Sequence, residues 1–386
     1  MTKNTSSDPR RTAVRSATIP AHLAPPECAR RLARFARRIA KAGLDAFFVF
    51  TEVNRLYLTG LKSGGVLLVL PDGATHLYCD SLYIEMARGQ VDFASVRLLR
   101  DFPKQFGPLA GKMNWRKAGY EGSISTIRYK SLREAMPSVQ EWVESENTLR
   151  ELRAIKSPAE QAAIRRAVRL ADRVLMDTLA EVRPGMTEWD IRRSLISRIH
   201  HADAEGESFD AIIAAGSNSS KPHASVTQRV LRPNHALLVD MGIRLEHYCS
   251  DMTRTVFFGK PPEKMKALYK IVLEAQRKAI AAIRAGKTGA EIDQVARKVI
   301  EKAGHGKRFC HSLGHGIGLE VHESPGLSSK SNTVLKPGMV LTVEPGIYLP
   351  GVGGVRIEDV VIVRPAGCEV LTTTPKELTC YPNLRR

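Results

Sequence analysis

ALLVDMGIRLEHYCSDMTRTVFF, residues 236–258, sets two apolar, β-branched runs around a short polar break, the pattern of a hairpin. Each run carries an aspartate, Asp240 and Asp251, where a strand ordinarily buries an aliphatic side chain. A turn centred on Leu245–Glu246 predicts that the two face each other across the ladder, with both carboxylates on one side. Two carboxylates pressed together in apolar surroundings repel unless a proton or a cation lies between them. The hairpin is therefore a candidate half of a metal site, set against the plainer reading of two solvated edge aspartates.

Working outward, the flanking sequence repeats. EVRPGMTEWDIRRSLISRI (181–199) matches AIRAGKTGAEIDQVARKVI (282–300) at an offset of 101 residues. Both contain Arg-x-Gly-x-Thr, followed three residues later by an acid, Asp190 or Glu291, which predicts two helices capped in the same way. Long helices are expected before each, over 158–182 and 262–283, and hairpin-rich sequence follows each pair. Two matched halves imply a pseudo-twofold domain with a site between them.

The second half has its own acid-bearing hairpin, MVLTVEPGIYLPGVGGVRIEDVVIV, with Glu344 at the end of one strand and Glu358 on its return. Glu358 shares a face with Arg356 by the two-residue alternation of a strand. Between the two hairpins runs FCHSLGHGIGLEVHESPG (309–326), with three histidines among four glycines. Glycines 314, 316 and 318 argue against a regular helix there and favour a turn and a strand of close approach. Two aspartates, two glutamates and a histidine form a mixed oxygen and nitrogen set. Such a set favours harder divalent ions such as Mn²⁺. Five ligands exceed one tetrahedral zinc and suit two metals, with a shared hydroxide as nucleophile.

The 386 residues suffice for two domains, and 43% hydrophobic with 25% charged residues is ordinary globular composition. No apolar run is long enough for a membrane span, so no membrane association is expected. Six cysteines without a CxxC pair fit reduced thiols in a cytoplasmic protein. The net charge of +18 raises the prospect of an anionic partner, but much of the excess sits on predicted helix faces (Arg30, Arg34, Arg37, Lys41), without a nucleic-acid-binding motif. A solvated basic surface is the reading adopted, and nucleic acid is not expected as a partner.

Residues 1–26 are polar and rich in arginine and serine, and are expected to be a disordered tail rather than a secretory signal. From Cys28 the pattern is helical to Gly43, then AFFVF (46–50) and GVLLVL (65–70) read as buried strands, the latter turning at Pro71–Asp72–Gly73. Residues 27–150 thus form a small α/β domain, and 151–386 the catalytic one. Ser157, Pro158 and Glu160 supply a helix start for the latter.

The order Asp240, Asp251, His315, Glu344, Glu358, with GHGIGLEVHESP and VEPGIY, resembles the pita-bread metallopeptidases. Within them it is most similar to the prolidase and aminopeptidase P group, whose N-terminal domain is creatinase-like, and the similarity spans roughly Cys28–Tyr381. The resemblance implies an α/β chain with a creatinase-like domain ahead of a pita-bread domain. It further implies two divalent ions, Mn²⁺ with Co²⁺ or Zn²⁺ as substitutes, a homodimer, and hydrolysis of the bond between a first residue and proline. Carried over by position, Asp240 would chelate one metal, Asp251 and Glu358 would bridge both, and His315 and Glu344 would complete the second. Glu344 would also hold the hydroxide and shuttle its proton. His223 and His322 would orient substrate and stabilise the scissile carbonyl oxygen. Arg356 would support the site or receive the substrate carboxylate, and His311 would line the substrate pocket. Other readings stay open: a metal-free relative like creatinase, a methionine aminopeptidase, or a metal-dependent amide hydrolase of the same fold acting on a non-prolyl or N-acyl amino acid. A nucleic-acid-binding relative is the reading from another class, and the sequence does not decide between dipeptidase and aminopeptidase.

Overall fold

The structure is a computed structural model and describes residues 19–382. Its N-terminal part is built on a six-stranded sheet of β1 (Ala46–Val49), β2 (Val66–Val69), β3 (Thr75–Cys79), β4 (Ser95–Leu98), β5 (Lys117–Tyr120) and β6 (Glu141–Glu144), in the order β4-β3-β2-β1-β5-β6. β1, β2 and β3 pair antiparallel, as the Pro71–Asp72–Gly73 turn requires, while β4, β5 and β6 join in parallel through helical crossovers. β1 and β2 are apolar at every position because helices cover both faces of the sheet.

Residues 1–18 of the expected tail lie outside the described residues, and residues 19–26 are not a tail. Ala21–Leu23 form a 3₁₀ turn and the first helix already starts at Pro25, running to Lys41. Pro25 and Pro26 suit a helix's first positions, where no amide donor is needed. The turn is ordered by a contact far along the chain: the buried His22 donates Nε2–H to the carbonyl of Glu246 at 3.0 Å and sets its ring edge-on to Tyr248. Local composition carries no trace of that contact.

In the second part the repeat is visible as two helix pairs, Pro158–Glu181 with Glu188–His201 and Glu263–Ala282 with Gly289–Lys302. Capping boxes close at Ser157/Glu160, Thr187/Asp190 and Thr288/Glu291. Thr187 bridges to Val230 and Thr288 to Val334, so each half tethers its second helix to its following loop in the same way. The first half contributes a four-stranded sheet holding the strands Ala236–Met241 and Met252–Phe258; the second contributes a five-stranded sheet holding Val340–Val343 and Asp359–Arg364. The halves are stitched where Glu358 donates its amide to the Thr253 carbonyl at 3.1 Å, and where Arg356 and Thr255 exchange hydrogen bonds. The result is a mixed α/β chain with the pseudo-twofold domain the repeat implies.

One register departs from expectation. The first hairpin pairs Met241 with Met252 and Asp240 with Thr253, so Asp240 and Asp251 are diagonal neighbours on one face rather than direct partners. The turn lies one residue later than predicted because Glu246 and His247 both take positive φ (50° and 67°), the two-residue hairpin turn that matches strand twist.

Candidate metal centre

All nine predicted site residues line one cleft of about 640 Å³ between the two halves: His223, Asp240, Asp251, His311, His315, His322, Glu344, Arg356 and Glu358. The elements deliver them as follows. Asp240 and Asp251 come from the first hairpin, where the ladder opens at Gly242. Glu344 and Glu358 come from the second, at the break that follows Val343 and precedes Asp359. His315 sits on the three-residue strand Gly314–Gly316; a side chain at either glycine would collide with the Thr342 or Ser324 backbone. Here the requirement for glycine is close approach, not conformational freedom.

Asp251, His315 and Glu358 each offer a ligand atom within 4.8 Å of the others, the sole such group of three among the described residues. His315 donates from Nδ1 to the Gly316 carbonyl at 3.0 Å, which turns Nε2 into the cleft, 3.6 Å from Asp251 and 3.3 Å from Glu344. Asp240 is turned instead to Arg356, whose Nη2 lies 2.5 Å from its Oδ2.

Electrostatics identify what the cluster lacks. Burial pushes the Asp240 carboxyl above its usual range; at Asp251 and Glu358 burial and the neighbouring carboxylates push much further. Glu344 moves the other way: burial would raise it, but the hydrogen bond and charge of His315 hold it down. Asp240 Oδ1 and Asp251 Oδ1 are buried with no hydrogen-bond partner. A carboxylate cluster with orphaned, inward oxygens is what divalent cations would satisfy, since each buried unpaired charge otherwise costs several kcal/mol, on the order of 3–5. The residues fit a metal centre.

The remaining predicted residues divide. His223 and His322 stand exposed at the rim, and burial of part of the His322 ring, with the nearby His315 charge, lowers its pKa. Arg356 is fully engaged: Nη2 on Asp240, Nε on Thr253 Oγ1 at 2.9 Å, Nη1 on the Pro222 carbonyl and the Tyr348 hydroxyl. His311 lines the cleft, yet both ring nitrogens are taken. Nδ1 bonds the Ser312 carbonyl, so it carries the proton; Nε2 therefore accepts from the Tyr348 hydroxyl at 2.9 Å.

Sequence reading missed the residues that hold these in place. Tyr348 joins Arg356 to His311. Thr253 donates to Glu358 Oε2 at 2.6 Å while accepting from Arg356. Thr342 accepts the His315 amide at 3.0 Å. All three sit in buried strands, those of Tyr348 and Thr342 otherwise apolar, and a hydroxyl at a buried strand position was the available signal. Phe209 and Ile212, which give the cleft its apolar wall, left no signal.

Comparison with known proteins gives the following. The profile described as Metallopeptidase family M24 matches residues 162–365, and the Creatinase/Prolidase N-terminal domain matches residues 31–155. The chain is 37% identical over 350 residues to an Xaa-Pro dipeptidase of Pyrococcus furiosus, covering 90% of this chain and 99% of that protein. Among solved structures it is similar to an Xaa-Pro dipeptidase from Bacillus anthracis, with a TM-score of 0.87 and 35% identity over 92% of this chain and 99% of that one. It also resembles an X-Pro aminopeptidase from Thermotoga maritima, with a TM-score of 0.82 and 33% identity over 89% and 99% of the two chains.

Proposed function

Because the chain belongs to metallopeptidase family M24 and carries the family's creatinase/prolidase N-terminal domain, we propose that it is an exopeptidase cleaving the bond between a first residue and proline. The observation that carries the reading is the convergence of Asp251, His315 and Glu358 in a cleft whose buried aspartate oxygens have no partner. Asp240, Asp251, His315, Glu344 and Glu358 would hold two divalent ions, with Mn²⁺ favoured by the oxygen-rich set. Once bound, the ions would supply a nucleophilic water with its pKa lowered to about 7 and would polarise the scissile carbonyl.

The chain's own groups do the rest. Glu344, held ionised by His315, is the carboxylate able to take the attacking water's proton and pass it to the leaving proline nitrogen. His322 has a depressed pKa and so presents a neutral imidazole, able to donate N–H to the carbonyl oxygen as charge develops there. His223 faces it from the other half and orients the substrate. Arg356, with its donors committed, fixes Asp240 rather than greeting a substrate carboxylate. His311 acts through Tyr348 and Arg356, since neither nitrogen is free for substrate. Phe209 and Ile212 give the first residue's side chain an apolar wall.

The test is hydrolysis by the Mn²⁺-loaded protein of an Xaa-Pro dipeptide and an Xaa-Pro-Xaa tripeptide. Cleavage of either supports the assignment, and the ratio separates dipeptidase from aminopeptidase. Cleavage of neither, with metal bound, refutes it.

A further inference from the structure

Glu188 is the first residue of the helix Glu188–His201 and is completely buried, 0% exposed, at some remove from the cleft. A buried carboxylate needs partners, and every partner here lies on one loop. Its Oε1 accepts the Ala215 amide at 2.7 Å. Its Oε2 accepts the Thr227 amide at 2.8 Å and the Thr227 hydroxyl at 2.7 Å. Asn218 Nδ2 reaches both oxygens at 3.0 Å. Every contact donates into the carboxylate, which binds the two ends and the middle of residues 215–227.

That loop carries His223. Among the described residues the His223 side chain makes no hydrogen bond of its own, so its position is inherited from the loop backbone. The far side of the loop is also fixed: Ser219 Oγ accepts the Gly354 amide at 2.9 Å, and the Pro222 carbonyl accepts from Arg356. Glu188 thus anchors a segment that Gly354 and Arg356 also hold, at Ser219 and Pro222, and His223 follows Pro222 directly.

The repeat allows a comparison within the molecule. The position matching Glu188 in the second half is Gly289. There the following loop is held by direct backbone approach: Gly289 and Ala290 donate to Thr333 and Ser331, and a side chain at 289 would strike the Gly326 carbonyl. The first half keeps the equivalent backbone contact, Glu188 N–H to the Arg229 carbonyl at 3.0 Å, and adds to it a carboxylate whose donors span residues 215–227.

We infer that Glu188 is a positioning residue for the reaction, holding the His223 loop at the height at which the imidazole meets substrate. The inference rests on the role proposed for His223. It concerns geometry, so its cost should fall on turnover and vanish when His223 is absent.

The experiment is a double-mutant cycle on the Mn²⁺-loaded enzyme with Glu188→Gln, His223→Ala and the pair. Gln keeps the shape but points an amide donor at a set of groups of which only the Thr227 hydroxyl can accept. His223→Ala is expected to lower kcat about 100-fold, as for loss of a group that orients the reacting carbonyl. Glu188→Gln should lower kcat about 10-fold or more with KM moved less than about 2-fold, bound Mn²⁺ per chain unchanged, and under about 2-fold further loss in the His223→Ala background. A loss repeated in full in that background, or one that tracks lost metal, overturns the inference. Should Glu188→Gln fail to fold, Thr227→Val removes one donor alone and must show the same non-additivity. Wild-type protein inactive on both peptides would sink the peptidase reading instead, so the two failures are distinct.

Discussion

Replacing Glu323 by Gln tests the buried ionic network joining the N-terminal domain to the rim of the cleft. Glu323 follows His322 directly and its side chain is 5% exposed. Arg153 Nη2 reaches its Oε1 at 2.5 Å and Lys156 Nζ its Oε2 at 3.0 Å, while Arg153 Nη1 donates to Asn54 of the N-terminal domain at 2.9 Å. Burial would raise the Glu323 pKa, but Lys156 and Arg153 outweigh it and hold it at about 2, against an ordinary 4.5. A shift of that size corresponds to about 3 kcal/mol of folding stability at neutral pH. The folded-state value lies below the unfolded one, so the contribution is complete above the unfolded value and is lost as pH falls towards the folded one. It should shrink to about 1.4 kcal/mol by pH 3. Glu323→Gln also leaves the buried Lys156 without its counter-charge and Arg153 with Glu320 alone, where removing one partner of a buried pair costs about 3–5 kcal/mol in comparable sites. The assay is urea unfolding of metal-free wild type and variant at pH 7 and pH 3, with equal m-values. A gap under about 1 kcal/mol at pH 7, or one that does not narrow at pH 3, refutes the reasoning.

Two further outcomes follow from the cleft. Asp251→Asn removes a carboxylate shared by the converging group, so bound metal should fall by one equivalent and kcat by more than about 100-fold; the metal-free protein should resist urea better, because a charge pressed against Glu358 is gone. Titration by metal analysis and urea curves read both, and full activity would remove the residue from the centre. Tyr348→Phe deletes the hydroxyl between Arg356 and His311 while leaving the ring in place; kcat should fall about 10- to 100-fold with metal content retained. Unchanged kcat would show that Arg356 holds Asp240 unaided.

The elements set by local rules were the ones legible in the sequence. Pro, Ser, Thr and Glu at fixed offsets declared the helix starts, and uninterrupted apolar runs declared the strands of the first sheet, because backbone donors and apolar surface must be satisfied close by. What stayed hidden depended on distant partners. His22 and Leu23 read as part of a polar tail, yet they are buried because the Glu246 turn and Tyr248 receive them. Glu188 drew no reading from the sequence, where Asp190 was the helix-start acid; its meaning lies in donors from residues 215 to 227 that no periodicity announces. Tyr348 stood in plain view within VEPGIY, but its partners are eight and thirty-seven residues away.

The carboxylates show the same division at finer grain. The repeat placed one acidic pair on each hairpin, and both pairs do line the cleft. Their relation within each hairpin is set by the turn. In the second hairpin one register runs on both sides of the break, Val343 opposite Asp359 and Gly346 opposite Arg356, so Glu344 and Glu358 fall directly opposite each other. In the first, the two positive-φ residues Glu246 and His247 move the turn by one residue, and Asp251 comes to oppose Gly242 while Asp240 opposes Thr253. That shift has a chemical consequence. It puts the Thr253 hydroxyl, rather than a second carboxylate, across from Asp240, and the same hydroxyl bonds both Glu358 and Arg356. Had the predicted register held, Thr253 would have lost its place opposite Asp240, where it now links the halves. The carboxylate inventory was fixed by composition and repeat, whereas the arrangement that lets four acids coexist with one arginine was decided by a two-residue turn.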